Sequence, residues 1–581
     1  MSEQKKCKLC QREFEIADRD LNFYRKISPT FGGKIYEIPA PQKCPLCRMR
    51  DKLAFRNESK FYKIKSGLSG KELVSHCSPD CRYKIYSQDE WYSDKWNPLR
   101  YGRDFDFSRP FFVQLNELAL EVPLPHAAIY NNENCDYISN ASNNKDCYLI
   151  SGSGQNENCM YGAGYWNSKD CVDCYRIFEC ENCYEVLHGY SSMSCFWSRD
   201  IENCFNGYFL RDCVGCKDCF ACANLNNKQY WAFNKQSTKE EIEKLIDEFQ
   251  KCDGEDKNAL LKEYFEFLNT QPTKFWHVKS VENVTGDYIN NSKNVADGYF
   301  IDDSENVSNC SNLNKGRNVA DTSFNGPPIE NSYHTVTCGI RSSGLISCLM
   351  SFGDVSNVYY SISCLDGSKD CFGCVGLRKK QYCILNKQYS KEEYEIKVSE
   401  IVEGMQKIGE WGEFFPLDFS PFGYNDTLAN VFFPIEKEGA KTLGANWQEK
   451  QYDADFSGSF YQLKNIWDYN PEKNNEAELE INRIQEGVLQ CEVTKRPFKI
   501  LSRELSFYIK NKIPIPEKHP EQRQKERFEK FNLYKFYHRQ CMCEERGHDY
   551  DGRCLNKFET TYPPESPEKV YCEKCYQRSV I

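Results

Sequence analysis

The sequence predicts a mainly β chain, with two tandem β-solenoid arrays carrying helical caps and flanked by N- and C-terminal zinc-ribbon modules. Three observations carry that expectation. Cys-x-x-Cys motifs stand near both ends, cysteines recur at a spacing of 12 from Cys135 to Cys195, and a second series of short repeats built on valine follows. At 581 residues the chain exceeds what one hydrophobic core ordinarily supports, so several domains or an extended repeat are required.

The first ribbon occupies residues 1–62. Cys7-Lys-Leu-Cys10 and Cys44-Pro-Leu-Cys47 are two knuckles, and two such turns facing each other supply the closed shell of four thiolates that structural zinc prefers. The last ribbon, 539–581, has one clear knuckle, Cys572-Glu-Lys-Cys575. Upstream, Cys541, Cys543, His548 and Cys554 offer more ligands than one ion uses, and we assign Cys541 and Cys554, with Cys543 and His548 as alternates. Two zinc ions per chain are therefore expected.

The two ends also match each other. Cys7-x-x-Cys10, Phe14-Glu-Ile and Leu21-Asn-Phe-Tyr-Arg-Lys align with Cys491-Glu-Val-Thr494, Phe498-Lys-Ile and Leu505-Ser-Phe-Tyr-Ile-Lys, and Cys44-Pro-Leu-Cys47-Arg aligns with His519-Pro-Glu-Gln522-Arg. Conversely, Tyr571-Cys572 and Cys575-Tyr576 match Tyr86-Ser87 and Glu90-Trp91. Each end thus reads as a pair of ribbons of which one has lost its ligands, at 63–130 (with a connector) and at 489–538. Cys491 and His519 are too few to close a site, so no metal is expected there. Cys77 and Cys81, beside His76, are the alternative for a rebuilt one.

Between the ribbons lie the arrays, 131–236 and 281–388. In the first, Cys135, Cys147, Cys159, Cys171, Cys183 and Cys195 sit in phrases such as Asn144-Lys-Asp-Cys147, and the spacing tightens to 9 at Cys204 and Cys213. A fixed short period rich in Asn, Asp, Ser and Gly, with a small apolar residue per repeat, is the signature of stacked short strands, and 12 residues are too few for a helix hairpin. The second array places Val284, Val295, Val307, Val319 and Val358 in equivalent phrases and returns to cysteine at Cys371. Valine cannot ligate metal but fills an interior as cysteine does, so the ladder reads as packing. The alternative is a further zinc or iron–sulfur cluster at Cys171/Cys174/Cys180/Cys183 or Cys213/Cys216/Cys219/Cys222.

Both arrays end alike. Thr238 with Glu241, and Ser390 with Glu393, form helix capping boxes, followed by apolar residues at helical spacing. Capping helices are expected over 237–280 and 389–408, where they cover strand edges open to aggregation. Residues 409–488 show no period and read as an irregular connector.

Cys44-Pro-Leu-Cys47-Arg, Tyr101-Gly-Arg-Asp-Phe-Asp-Phe-Ser-Arg-Pro-Phe-Phe112, the Ser-Lys-Asp-Cys repeats, Glu559-Thr-Thr-Tyr and Val570-Tyr-Cys-Glu-Lys-Cys575 together resemble an uncharacterised cysteine-rich zinc-ribbon repeat family of candidate-phyla, small-genome bacteria, over essentially the whole chain. The resemblance implies a bacterial zinc-ribbon repeat protein and no particular activity. Where members of that family keep knuckle cysteines in the second N-terminal ribbon, this chain has Ser87 and Glu90.

Charge and cysteine usage bound the function. The net charge is -10, which speaks against a general nucleic-acid binder, yet residues 1–60 carry 14 basic against 8 acidic side chains. Arg48, Arg50, Lys52 and Arg56 are candidate RNA contacts, the alternative being a solvated face. The chain starts with a polar segment and holds no apolar run near the roughly 18 residues that span a bilayer, so a cytoplasmic protein with reduced thiols is expected, an exported disulfide-linked one being the alternative. The eight histidines are scattered singly and no nucleophile triad or phosphate loop is recognisable. Asp302 and Asp303 are adjacent acids in a polar turn. The leading expectation is a non-enzymatic scaffold presenting its repeat surface to a protein or ribonucleoprotein partner. An RNA- or ribosome-associated factor and a thiol–metal redox protein are the alternatives.

Overall fold

The computed structural model describes residues 3–580 apart from 253, 326–327, 339–340, 451, 453–455, 532–533 and 546–551. The protein is strand-rich, and its chain divides into two compact units that are not continuous in sequence. One comprises Met1–Ala128, Trp276–Glu449 and Leu533–Phe536; the other comprises Ile129–Phe275, Lys450–Asn532 and Tyr537–Ile581. The N-terminal ribbons therefore share a unit with the second repeat region, and the C-terminal ribbons with the first. The expected connector is divided between them and holds short helices, among them Leu428–Phe432 and Ala477–Glu486.

In the unit beginning at Ile129, a 12-stranded sheet runs from Ile129–Tyr130 to Lys235–Gln236. Its strands pair in parallel at a register of one repeat, as in Tyr148 with Met160, Tyr175 with Leu187 and Arg199 with Arg211. Left-handed φ values recur at every third residue from Asn131 to Phe233, with glycine in the series only at 152, 164 and 215. Each triplet holds one residue facing inward, such as Cys147, Ile150 and Cys159, all at most 1 % exposed. A left-handed conformation costs an ordinary L-residue about 1–2 kcal/mol, and Asn and Asp tolerate it best. That explains the amide-rich phrases. Their side chains also bond from one repeat to the next, as in Asn131 to Asn143 (2.7 Å), Asn158 to Asp170 (2.6 Å) and Asn206 to Asp218 (3.0 Å).

This triplet corrects the tightening to 9. The register stays at one repeat through the region, with Ile201 opposite Cys213 and Gly207 opposite Cys219. Cysteine merely moves to a different inward position, three triplets on. Gly207 interrupts the earlier column because a Cβ there would meet Leu210 Cδ1 at 2.4 Å.

The unit beginning at Met1 contains the second large sheet, 13-stranded, from Val278–Lys279 to Lys387–Gln388. One inward column runs Val284, Val295, Val307, Val319 and Ser332, and another stretch runs Leu345, Val358, Cys371 and Cys383. Val295, Val307, Val358, Cys371 and Cys383 are buried. Valine and cysteine thus occupy the same environment.

Both sheets stop in the same way. An antiparallel turn, Trp231–Ala232 with Lys235–Gln236 and Gln381–Ile384 with Lys387–Gln388, breaks the parallel series. Helices Lys239–Lys251 and Lys391–Ile408 follow, each opened by its capping box, and they bury Ile242 and Phe249, and Tyr394, Val398, Ile401, Val402 and Met405, respectively. Among the described residues no helix is long and apolar enough to cross a membrane.

Candidate metal centres

The N-terminal site grows from a hairpin and a helix. Strands Glu3–Lys6 and Glu13–Ile16 pair antiparallel, and the turn between them, with Gln11 at φ +60°, carries Cys7 and Cys10. Cys44 is the N-cap of helix Pro45–Leu53, whose first turn supplies Cys47. The four ligand sulfurs lie within 4.8 Å of one another. Cys10 and Cys44 are 3.7 Å apart, which matches the edge of about 3.8 Å that a tetrahedron with 2.3 Å metal–sulfur bonds requires. The Cys44 backbone N–H donates to Cys7 Sγ at 3.3 Å, the helix N-terminus faces the sulfurs, and the Cys47 thiol, with the other thiols, pulls Cys44 down to about 5.

The C-terminal site repeats this plan. Cys541 follows strand Tyr537–Gln540, and Cys572 leads into helix Glu573–Val580, which supplies Cys575. With Cys554 they form a second four-sulfur group within 4.8 Å, entirely buried. The Cys572 N–H donates to Cys541 Sγ at 3.2 Å, the counterpart of the Cys44 bond, and the Asn556 amide reaches Cys572 Sγ at 3.3 Å. Burial raises Cys541 to about 11. Of the two alternates, Cys543 is buried beside the group but contributes its carbonyl, bonded by the Cys554 N–H at 2.8 Å, and its thiol is not in the set. His548 lies outside the described residues.

Each group can hold a metal ion. Among the described residues no three thiols of the repeat regions lie within 4.8 Å of one another, so the clusters at Cys171/Cys174/Cys180/Cys183 and Cys213/Cys216/Cys219/Cys222 do not form such a shell. Their Sγ–H groups turn instead to backbone carbonyls, as in Cys171 to Lys169 (3.2 Å) and Cys216 to Leu225 (3.3 Å). No disulfide joins any described cysteine.

In the two segments expected to be degenerate ribbons, hydrogen bonds occupy the positions that align with the cysteines. At Cys491 the sulfur accepts the Thr494 N–H at 3.4 Å, while His519 Nδ1 accepts the Glu521 N–H at 3.2 Å and caps helix Pro520–Glu529. In the other, Ser87 and Glu90 form a capping box at 3.3 and 3.1 Å, and Ser66 donates to the same Glu90 carboxylate. Burial opposes the charge on Glu90, but hydrogen bonds from Ser66, Ser69 and Ser87 prevail and hold it at about 2. Ser66-x-x-Ser69 has knuckle spacing, a signal the sequence carried and pattern-reading for cysteine passed over. Cys77 and Cys81 interact with each other, but they and His76 are not among the groups of three able to hold an ion.

The four candidate RNA contacts require correction. Lys52 and Arg56 are 1 % and 2 % exposed, and the side chains of Arg48 and Arg50 are 10 % and 12 % exposed. Arg48 and Lys52 both pair with Asp321, which is fully buried, the latter at 3.0 Å; Arg50 pairs with Asp51 and Arg56 with Glu58. Asp321 directly follows strand Gly316–Ala320 of the second sheet, so Arg48 and Lys52 fasten helix Pro45–Leu53 to that edge of it. Burial would raise the Asp321 pKa, but Arg48 and Lys52 hold it well below the usual range. The other unit has the same lock: Arg523 and Arg527 of helix Pro520–Glu529, aligned with Arg48 and Lys52, both pair with buried Asp173, Arg527 at 2.8 Å.

Fold and sites together define a strand-rich, cysteine-rich protein with two four-cysteine groups able to bind metal among the described residues. Neither a protein-family model nor a curated protein matches the chain.

Proposed function

We propose that this chain is a non-enzymatic, zinc-stabilised repeat scaffold of the cytoplasm, in which each parallel sheet is a β-solenoid and each ribbon pair is a clamp fixed to it. The observation that supports this most is the duplicated lock, Asp321 with Arg48 and Lys52, and Asp173 with Arg523 and Arg527. It turns the basic side of each ribbon inward and spends it on its own sheet. What stays outside is solenoid surface. One exposed column of the first sheet runs Glu133, Lys145, Glu157, Lys169 and Glu181 in register, with alternating charge. A four-thiolate shell leaves no open position for substrate, which favours a structural role for the metal. An ordered, rigid face of this kind suits a protein partner.

The test has two parts. Metal analysis of protein purified without chelator is expected to give two zinc per chain; iron, or four or more metals, would overturn the reading. Affinity capture from native lysate, with wild type beside a variant reversing Lys145, Lys169, Glu157 and Glu181, is expected to yield a partner that the variant loses. A partner retained by both would remove that face from the proposal.

A further inference from the structure

A cavity of about 220 Å³ lies beside the N-terminal four-sulfur group, and Cys44 is part of its wall. Cavities of roughly 150 Å³ already hold benzene, so this one has room for a compact organic ligand. Aromatic rings from three parts of the chain line it. Phe14 comes from the ribbon hairpin, Tyr299 from strand Lys293–Asp302, and Tyr534 and Phe536 from the short segment that joins this unit from the C-terminal half. Tyr299 and Tyr534 meet at 72° with centroids 5.0 Å apart, and Phe536 lies at 27° and 5.7 Å against Tyr299, so these rings form one packed cluster at the edge of the cavity.

Acidic side chains outnumber basic ones around these rings, two to one. Asp297, two residues before Tyr299 on the same strand, lines the cavity, as does Glu13. A divalent ion held by four thiolates leaves a net charge of about −2 on the adjoining site. Arg12 is the one cationic lining residue; it and Glu13 are exposed, whereas Asp297 is half-buried. Ring faces attract cations, and a methylated ammonium sheds water more readily than a primary one. We propose that this cavity binds a methylated ammonium head, as found in tetramethylammonium, choline or a trimethylated lysine side chain. The contribution of the thiolate charge rests on the zinc reading above; that of the rings and Asp297 does not.

The test titrates the full-length, metal-analysed chain with tetramethylammonium, with choline, with the neutral tert-butyl isostere of choline, and with a peptide bearing lysine in trimethylated or unmodified form. Tetramethylammonium and choline are expected to bind, with the isostere weaker by about tenfold, since removing the charge removes the cation–π and carboxylate attraction but not the shape. Asp297→Asn, Phe536→Leu and Tyr299→Leu are each expected to weaken choline by about fivefold or more, with zinc content and melting temperature as controls that the variant is folded. A trimethylated peptide binding more tightly than choline assigns the ligand to a protein-borne mark, whereas choline binding as tightly assigns it to a free small molecule. Equal binding of choline and its isostere, or no binding of either by a chain holding two zinc ions, overturns the proposal. Choline bound by a chain without zinc overturns the ribbon reading and leaves the cavity to its rings and Asp297.

Discussion

Asp321→Asn is the sharpest perturbation of the clamp. The carboxylate is fully buried between Arg48 and Lys52, and the Asn309 side-chain amide also donates to it. Replacing it with an amide keeps the shape and strips the charge, leaving two cations in a site from which water is excluded. Breaking a buried pair from one side costs about 3–5 kcal/mol, most of it the penalty for the charge left behind. Here Arg48 keeps a tenth of its side chain exposed and Lys52 keeps the Asn309 carbonyl at 3.4 Å, so we expect about 3 kcal/mol, or roughly a hundredfold in the unfolding equilibrium. Urea unfolding followed by tryptophan fluorescence and by zinc release reads it. A companion variant, Arg48→Met with Lys52→Met and Asp321→Leu, removes all three charges and is expected to regain most of the loss. The reasoning fails if Asp321→Asn stays within about 1 kcal/mol of wild type. A depressed carboxylate adds stability above its unfolded value near 3.8 and loses it as pH falls through the folded value, so Asp321→Asn is also expected to flatten the acid limb below about pH 4.

Burial lowers His76 from 6.5 to about 3, so the unfolded chain binds a proton that the folded one refuses. Stability is therefore expected to hold above pH 6.5 and to fall toward pH 3, by up to about 5 kcal/mol for a shift of that size, and His76→Leu is expected to flatten the slope in a pH series of melts. Cys10→Ser is expected to leave one zinc per chain with the C-terminal site intact, read by metal analysis. Cys171→Val, which copies the residue type of the second sheet's inward column, is expected to change stability by less than about 1.5 kcal/mol and leave the metal content unaltered, whereas a lost metal would show that the thiol column is a ligand set.

Much of this architecture is legible in the sequence because it is local. A knuckle is a four-residue pattern, and a capping box is another. The repeat shows itself because stacking forces the same residue type into the same place every 12 positions. What escaped is either finer or longer-ranged than such patterns. The three-residue rhythm was hidden because Asn and Asp mark only some left-handed positions, while Tyr137, Leu149 and Trp197 occupy others. The basic stretch around Arg48 invited a phosphate reading because its acidic partner stands 273 residues away. Charge is visible in a sequence, but the company it keeps is not. The aromatic cavity is equally silent, since Phe14, Tyr299 and Phe536 are neighbours only after folding.

The distribution of surviving cysteines then follows from packing. The lock to the sheet cannot explain it, because the ribbon of Cys7 and the ribbon of Cys491 both have one. Their apolar surroundings differ. Among the described residues, the buried cluster around the N-terminal site consists of Cys7, Cys44, Cys47, Phe14 and Ile16, and around the C-terminal site Tyr571 and Cys543 join the four cysteines. Cores so small do not hold a fold together, and a metal shell supplies what burial cannot. Cys491 instead lies in a cluster continuous with Tyr184, Leu505, Phe507, Tyr508 and Ile513, and Ser87 lies beside fully buried Trp91. Where a larger apolar core packs the turn, no metal is needed on that reading, and hydrogen bonds such as Ser87 to Glu90 shape it. On the zinc reading proposed above, the metal serves the two four-cysteine groups, whose buried clusters are smaller than the one around Cys491.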